Sequence, residues 1–273
     1  AGANRKKGVG ERAVLGQRED GEGWDGNSVD VNSGEVTRLA VPPPPVRPNG
    51  TARRQARGVA QPAAGWGLPL TVLIAGMFMS ILDTTIVNVA IPTIQNEFGV
   101  STDDVQWVVT GYTLALGVVV PVTAWLGDRF GLKRVYNLAL LAFAAGSALC
   151  GLAWDLNSLV AFRIFQAIPG GILPVITLSI LYRIVPRDRL GAAMGLYGLG
   201  IVCAPAIGPT LGGYLVEYVN WRLIFYINVP IGILGAVAAT LVLPRFPRIA
   251  GRRFDVLGFV TVAGGLFALL LAT

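Results

Sequence analysis

Seven stretches of this chain are too long and too poor in charge to be explained by the surface of a water-soluble protein. They run from Gly67 to Ile91, Trp107 to Leu126, Val135 to Trp154, Leu159 to Leu181, Leu190 to Leu215, Leu223 to Leu243 and Val256 to Thr273, where the sequence ends. Each is close to the roughly 20 residues that cross a hydrocarbon core of about 30 Å at about 1.5 Å per helical residue. Backbone amides in lipid have no water to bond, so a spanning segment must pair its own amides as a helix or close into a barrel. The runs lack the alternation of barrel strands. The expectation is an all-α polytopic membrane protein of seven helices. Charged residues make up 14% of the chain, against about 25% in ordinary soluble domains, which agrees.

Basic residues in the connections fix the expected orientation. Arg53, Arg54, Arg57, Arg129, Lys133, Arg134, Arg183, Arg187, Arg189, Arg245, Arg248, Arg252 and Arg253 fall on one side, while the other side holds Arg222 among Glu97, Asp103, Asp104, Asp155 and Glu217. The positive-inside rule then puts the N-terminus in the cytoplasm of a multi-pass protein of the cytoplasmic (plasma) membrane. The net charge of +6 is read as a topology signal, and no nucleic-acid partner is expected. Trp66, Trp107, Trp125, Trp154 and Trp221 stand at expected helix ends, as interfacial aromatics do. Residues 1–65 have no apolar core for a secretory signal and no clear period, and they include the run Pro42 to Pro45; a disordered cytoplasmic tail is expected. The arginines between Arg47 and Arg57 read first as topology markers and second as contacts for anionic lipid. The division is a tail at 1–65, a six-helix bundle at 66–243, a cytoplasmic loop at 244–255 and the start of a seventh helix at 256–273.

Two charges lie within the apolar runs. Asp83 sits 16 residues into the first and Arg163 near the outer end of the fourth. A charge at mid-bilayer costs about 2.5 to 3.5 kcal/mol on insertion scales, so it faces a cavity or pairs with a neighbour to lock packing; both readings stand. Arg163 and Gln166, three apart, share a helix face, whereas Asn88 is five residues from Asp83 and does not. A single cavity shared by Asp83, Asn88, Arg163 and Gln166 is the working expectation. In the fifth run Gly200, Ala204, Gly208 and Gly212 recur every fourth residue, a stripe on which another helix packs closely, and Pro205 and Pro209 each remove a donor. The stripe reads either as a static packing face or as a hinge. With no histidine, and Cys150 and Cys203 both inside spans, no metal site and no catalytic constellation is expected.

Four motifs resemble those of the major facilitator superfamily, most closely its fourteen-span drug:proton antiporter family of the EmrB/QacA type. "LDTTIVNVAIP" is similar to the family's helix 1 motif. "AWLGDRFGLKR" resembles its loop motif through Gly127, Asp128, Arg129, Gly131, Lys133 and Arg134, with Ala124 and Leu132 departing from it. "LVAFRIFQAIPGG" resembles the helix 4 motif through Arg163, Gln166 and Gly171, with Ala167 and Pro169 in place of glycines. "APAIGPTLGG" resembles the antiporter motif through Gly208, Pro209, Gly212 and Gly213, with Ala204 where its first glycine stands and Pro205 beside it. "NWRLIFYINVPIG" is also similar. The resemblance covers about residues 66–273.

It implies the N-terminal six-helix bundle of the major facilitator fold, and proton-coupled antiport of small lipophilic or cationic molecules by alternating access. It also implies no cofactor beyond the proton gradient. On that model Asp83 and Arg163 belong to the proton-coupled cavity, and Asp128 with its basic neighbours latches the cytoplasmic side. A fourteen-span protein is about twice this length. The expectation is therefore an incomplete piece whose partners are the bilayer, protons, a small-molecule substrate and the missing C-terminal half or another copy. The alternative is a half-transporter that acts as a membrane assembly or regulatory subunit; an enzyme is not expected.

Overall fold

The computed structural model describes residues 27–29, 38–40, 65–247 and 255–271. The chain divides into two compact units, residues 1–57 and 58–273. In the first unit β1 (Asn27–Val29) pairs antiparallel with β2 (Arg38–Ala40), Ser28 facing Leu39. This differs from the expectation of a segment without strands, because a ladder three residues long is too short to register as alternation. The rest of the expected disordered tail lies outside the described residues.

The second unit is helical. Its elements are α1 (Gly67–Phe98), α2 (Thr102–Phe130), α3 (Leu132–Gly151), α4 (Leu156–Ile184), a 3-10 turn at Arg187–Arg189, α5 (Leu190–Tyr218), α6 (Leu223–Tyr226), α7 (Asn228–Val242) and α8 (Val256–Leu271). Among the described residues six helical segments are long and apolar enough to cross a membrane, α6 and α7 together forming the sixth. That span was expected as one helix. Pro230, in the first turn of α7, has no N–H to donate to the Tyr226 carbonyl, so the ladder is interrupted while Ile227 keeps helical angles (φ −61, ψ −29).

Short polar signals end the helices. Gly99 takes left-handed angles at φ 64, a conformation glycine adopts without steric cost, and its N–H returns to the Gln95 carbonyl at 2.9 Å. Ser101 then caps α2, accepting from the Asp104 N–H at 3.1 Å, and Asp103 and Asp104 lie at the positive end of the helix dipole. Asp155 and Ser158 form a reciprocal capping box at the start of α4.

Helices α1, α3 and α4 carry most of the core. α1 packs on α5 and α7, α4 on α2 and α3, α3 on α7, and α8 on α2. The buried apolar residues form two clusters at opposite ends of the bundle. One holds Leu73, Tyr136, Phe143, Leu173 and Ile176, the other Ile86, Ile94, Leu159, Trp221 and Phe225. Asp83 falls between Met79 and Ile86 on α1, Ser147 between Phe143 and Cys150 on α3, and Arg163 and Gln166 between Leu159 and Ile172 on α4. A polar layer thus separates the two apolar ones.

A buried ion pair as the candidate functional site

Asp83 and Arg163 meet inside that layer. Arg163 Nη1 donates to Asp83 Oδ2 at 2.5 Å, and the two side chains are 1% and 0% exposed respectively. Because α1 and α4 run in opposite directions, residues 80 apart in sequence come to one depth. Gln166, on the same face of α4 as expected, accepts from Arg163 Nη1 at 2.8 Å through its oxygen. Its amide donates to Asp83 Oδ1 at 3.1 Å and to Ser147 Oγ at 2.6 Å. Asn228, from the first turn of α7, donates to Asp83 Oδ1 at 2.7 Å and approaches Ser147 Oγ at 3.0 Å. Three helices, α1, α4 and α7, therefore meet at one carboxylate, which accepts from a guanidinium and two amides, and α3 joins the network through Ser147.

Aromatic rings close the site. The Arg163 guanidinium lies over the Tyr112 ring of α2 at 3.9 Å and near the Phe225 ring at 5.7 Å, where the ring quadrupoles favour a cation. Arg163 Nε and the Tyr112 hydroxyl are buried without a hydrogen-bond partner among the described residues. Small residues make the approach possible. A Cβ on Gly146 would stand 2.9 Å from Gln166 Cα, and one on Gly170 would stand 2.6 Å from the Tyr112 hydroxyl.

Geometry sorts the expected residues. It brings Asp83, Arg163 and Gln166 together, but as a closed, fully buried network rather than as walls of an open cavity; of the two readings of the sequence, pairing is the arrangement seen. Asn88 is exposed on α1, outside this network, as its five-residue offset from Asp83 requires. Ser147, Asn228 and Tyr112 join the site without having been singled out. The available signal was weak: each is a polar or amphipathic side chain near the outer end of an apolar run.

The other motifs have structural settings of their own. On α5, Gly200, Ala204, Gly208 and Gly212 are buried against α1, and a Cβ on Gly208 or Gly212 would stand 2.2 Å from Thr85 Oγ1 or 2.9 Å from Ile86 Cγ1. Pro205 and Pro209 are exposed, Gly213 would meet nothing within 4 Å, and α5 is continuous through both prolines. At the loop, Gly127 packs under Leu132 and Ile176, Gly131 turns the chain at φ 90, and Asp128 is partly buried beside the exposed Arg129. Lys133 donates to the Thr240 and Leu243 carbonyls at 2.8 and 2.5 Å, filling the end of α7.

Residues 73–254 match the sequence model of the Major Facilitator Superfamily. The chain belongs to the Major Facilitator Superfamily. It is 42% identical over 204 residues to the putative multidrug resistance protein MdtD of Serratia proteamaculans, covering 74% of this chain and 42% of that protein. It is 38% identical over 201 residues to the uncharacterized MFS-type transporter YhcA of Bacillus subtilis, covering 74% of this chain and 38% of that one. The chain thus spans about two fifths of the length of these curated relatives. Among solved structures, the peptide transporter POT in complex with sulfate superposes at a TM-score of 0.63 with 17% identity, over 81% of this chain and 49% of that one. A bacterial homologue of the human lysosomal transporter Spinster, inward-facing and occupied, gives 0.55 with 23% identity, over 69% of this chain and 46% of that one. Both show the facilitator fold. YhcA, POT and the Spinster homologue are named as transporters.

Proposed function

We propose that this chain takes part in proton-coupled efflux of small lipophilic or cationic molecules across the plasma membrane, by alternating access and with its N-terminus in the cytoplasm. The observation that carries the reading is a carboxylate with no solvent exposure, Asp83, held by Arg163, Gln166 and Asn228. A carboxylate only accepts hydrogen bonds, while its protonated form also donates. Adding a proton to Asp83 removes the charge that holds Arg163 and places an O–H donor among the N–H groups of Arg163, Gln166 and Asn228, and relative movement of α1, α4 and α7 relieves the lost attraction. Proton arrival is thereby coupled to relative movement of helices, the element that alternating access requires. Arg163 sets the charge balance of the layer and Gln166 relays the change to Ser147 on α3. Substrate class rests on the multidrug-resistance names of the relatives.

The test is dye efflux driven by an imposed proton gradient in membrane vesicles, with the gene expressed from its natural reading frame. Asp83→Asn is expected to abolish gradient-driven efflux of a fluorescent lipophilic cation while leaving the protein in the membrane. Efflux at the unmodified rate would remove Asp83 from the mechanism.

A further inference from the structure

We infer that the end of the bundle formed by the α2–α3 turn and the end of α7 carries a binding site for one anionic phospholipid. A cleft of about 460 Å³ opens there, lined by Lys133, Arg134, Asn137, Thr240, Arg245 and Phe246. Lys133 is already committed to the last carbonyls of α7. Arg134, at the start of α3, and Arg245, just beyond α7, are both exposed and line the cleft from two different elements, and guanidiniums suit a phosphate oxyanion. Asn137 donates to Thr240 Oγ1 at 2.6 Å, while its carbonyl oxygen is buried without a partner among the described residues.

What distinguishes a lipid from a free phosphate is the surface beyond the cleft. α3 and α7 pack side by side, and their outward faces carry Leu138 (65% exposed), Leu141, Val237 and Leu241 (80% exposed). These residues extend from the basic cleft toward the middle of the bilayer, a track for acyl chains below a headgroup held by two arginines. Basic pockets between spans on the positive side of a membrane protein hold anionic headgroups in this way. The opposite end of the bundle has a cleft of its own, about 700 Å³, whose walls include Glu97, Asp104 and Asp155. Its carboxylates repel a phosphate, so the selectivity belongs to one leaflet. The inference concerns lipid retention and stands apart from proton coupling.

Native mass spectrometry of the purified protein, exchanged into mixed micelles with phosphatidylglycerol and phosphatidylcholine, reads the site directly. Selective retention of one phosphatidylglycerol is expected, falling by about five-fold for each arginine removed in R134Q, R245Q and the double variant. R187Q, an exposed arginine at the same end but outside the cleft, is expected to leave retention unchanged. Arg245 lies beyond the end of α7, outside any helix, so R245Q decides the outcome even where changes at the α2–α3 turn impair folding. Equal retention of phosphatidylcholine, or equal loss in R187Q, would overturn the inference. Displacement of the lipid by millimolar inorganic phosphate would overturn it in favour of a free-anion site.

Discussion

Two ion pairs in this bundle use the same chemistry at opposite degrees of burial. Asp83 and Arg163 are sealed between the apolar layers, whereas Arg222 and Glu97, 3.1 Å apart at the end of the bundle where α1 finishes, are 27% and 42% exposed. The outer pair is one strand of a clasp: Arg222 also donates to the Ala153 carbonyl at 2.6 Å, and the Trp221 indole donates to Glu97. It fixes the α5–α6 connection onto the ends of α1 and α3. Water reaches the Arg222–Glu97 pair and can replace its bond. Nothing can replace those of the inner pair, because removing either partner strands an ion in low dielectric. Burial, more than the pairing itself, decides which of the two is sensitive to change.

Substitutions sharpen that contrast, beginning with the largest effect. Arg163→Met, which strands Asp83, is expected to cost about 3 to 5 kcal/mol. Thermal unfolding in detergent should show it, with much of the loss recovered by the double change Asp83→Leu with Arg163→Met while gradient-driven efflux stays absent. If the double variant is no more stable than the single one, the layer is held by more than its charges. Asn228→Leu removes one neutral donor from the carboxylate and is expected to cost about 1.5 to 3 kcal/mol by the same measurement. Glu97→Gln at the outer pair should cost no more than about 1 kcal/mol, shrinking further in high salt. A loss as large as that of Arg163→Met would erase the distinction between the two sites. The smallest effect belongs to Asp155, whose carboxyl is held below the ordinary range by hydrogen bonds from the Ser158 side chain and backbone. A folded-state pKa below the unfolded one stabilises α4 at pH above about 4 and loses that contribution as pH falls through the folded value. Asp155→Ala should therefore flatten the acid limb of the stability profile and leave its neutral region slightly lowered.

Architecture was legible in the sequence because lipid forces it: a run of apolar residues near the length of a span has few other fates. Asp83 and Arg163 were legible for the same reason, as charges where charge is costly, and Gln166 followed from its three-residue offset. Asn88 was drawn toward the same site by its chemistry, but five residues at about 100° each turn it roughly 140° away from Asp83. Ser147, Asn228 and Tyr112 were missed because a serine, an asparagine near a helix start and an interfacial tyrosine are all ordinary in their places. Only the packing of five helices brings them to one site. Lys133 resembled part of a charged latch, and its role as a cap for α7 depends on a contact 107 residues away that no local pattern encodes.

The polar layer also bears on how the protein is made. Asp83 leaves the ribosome 80 residues ahead of Arg163, which at about 5 to 20 residues per second is a delay of roughly 4 to 16 s. Asn228, the last donor, follows 145 residues behind the carboxylate. Throughout that interval the first span carries an uncompensated acid. Water within the insertion channel, or contact with its walls, has to shelter it until the fourth span arrives. Biogenesis of this bundle is therefore a timed handover of one charge, and slowing synthesis between the first and fourth spans would prolong the state in which that charge is most exposed to error.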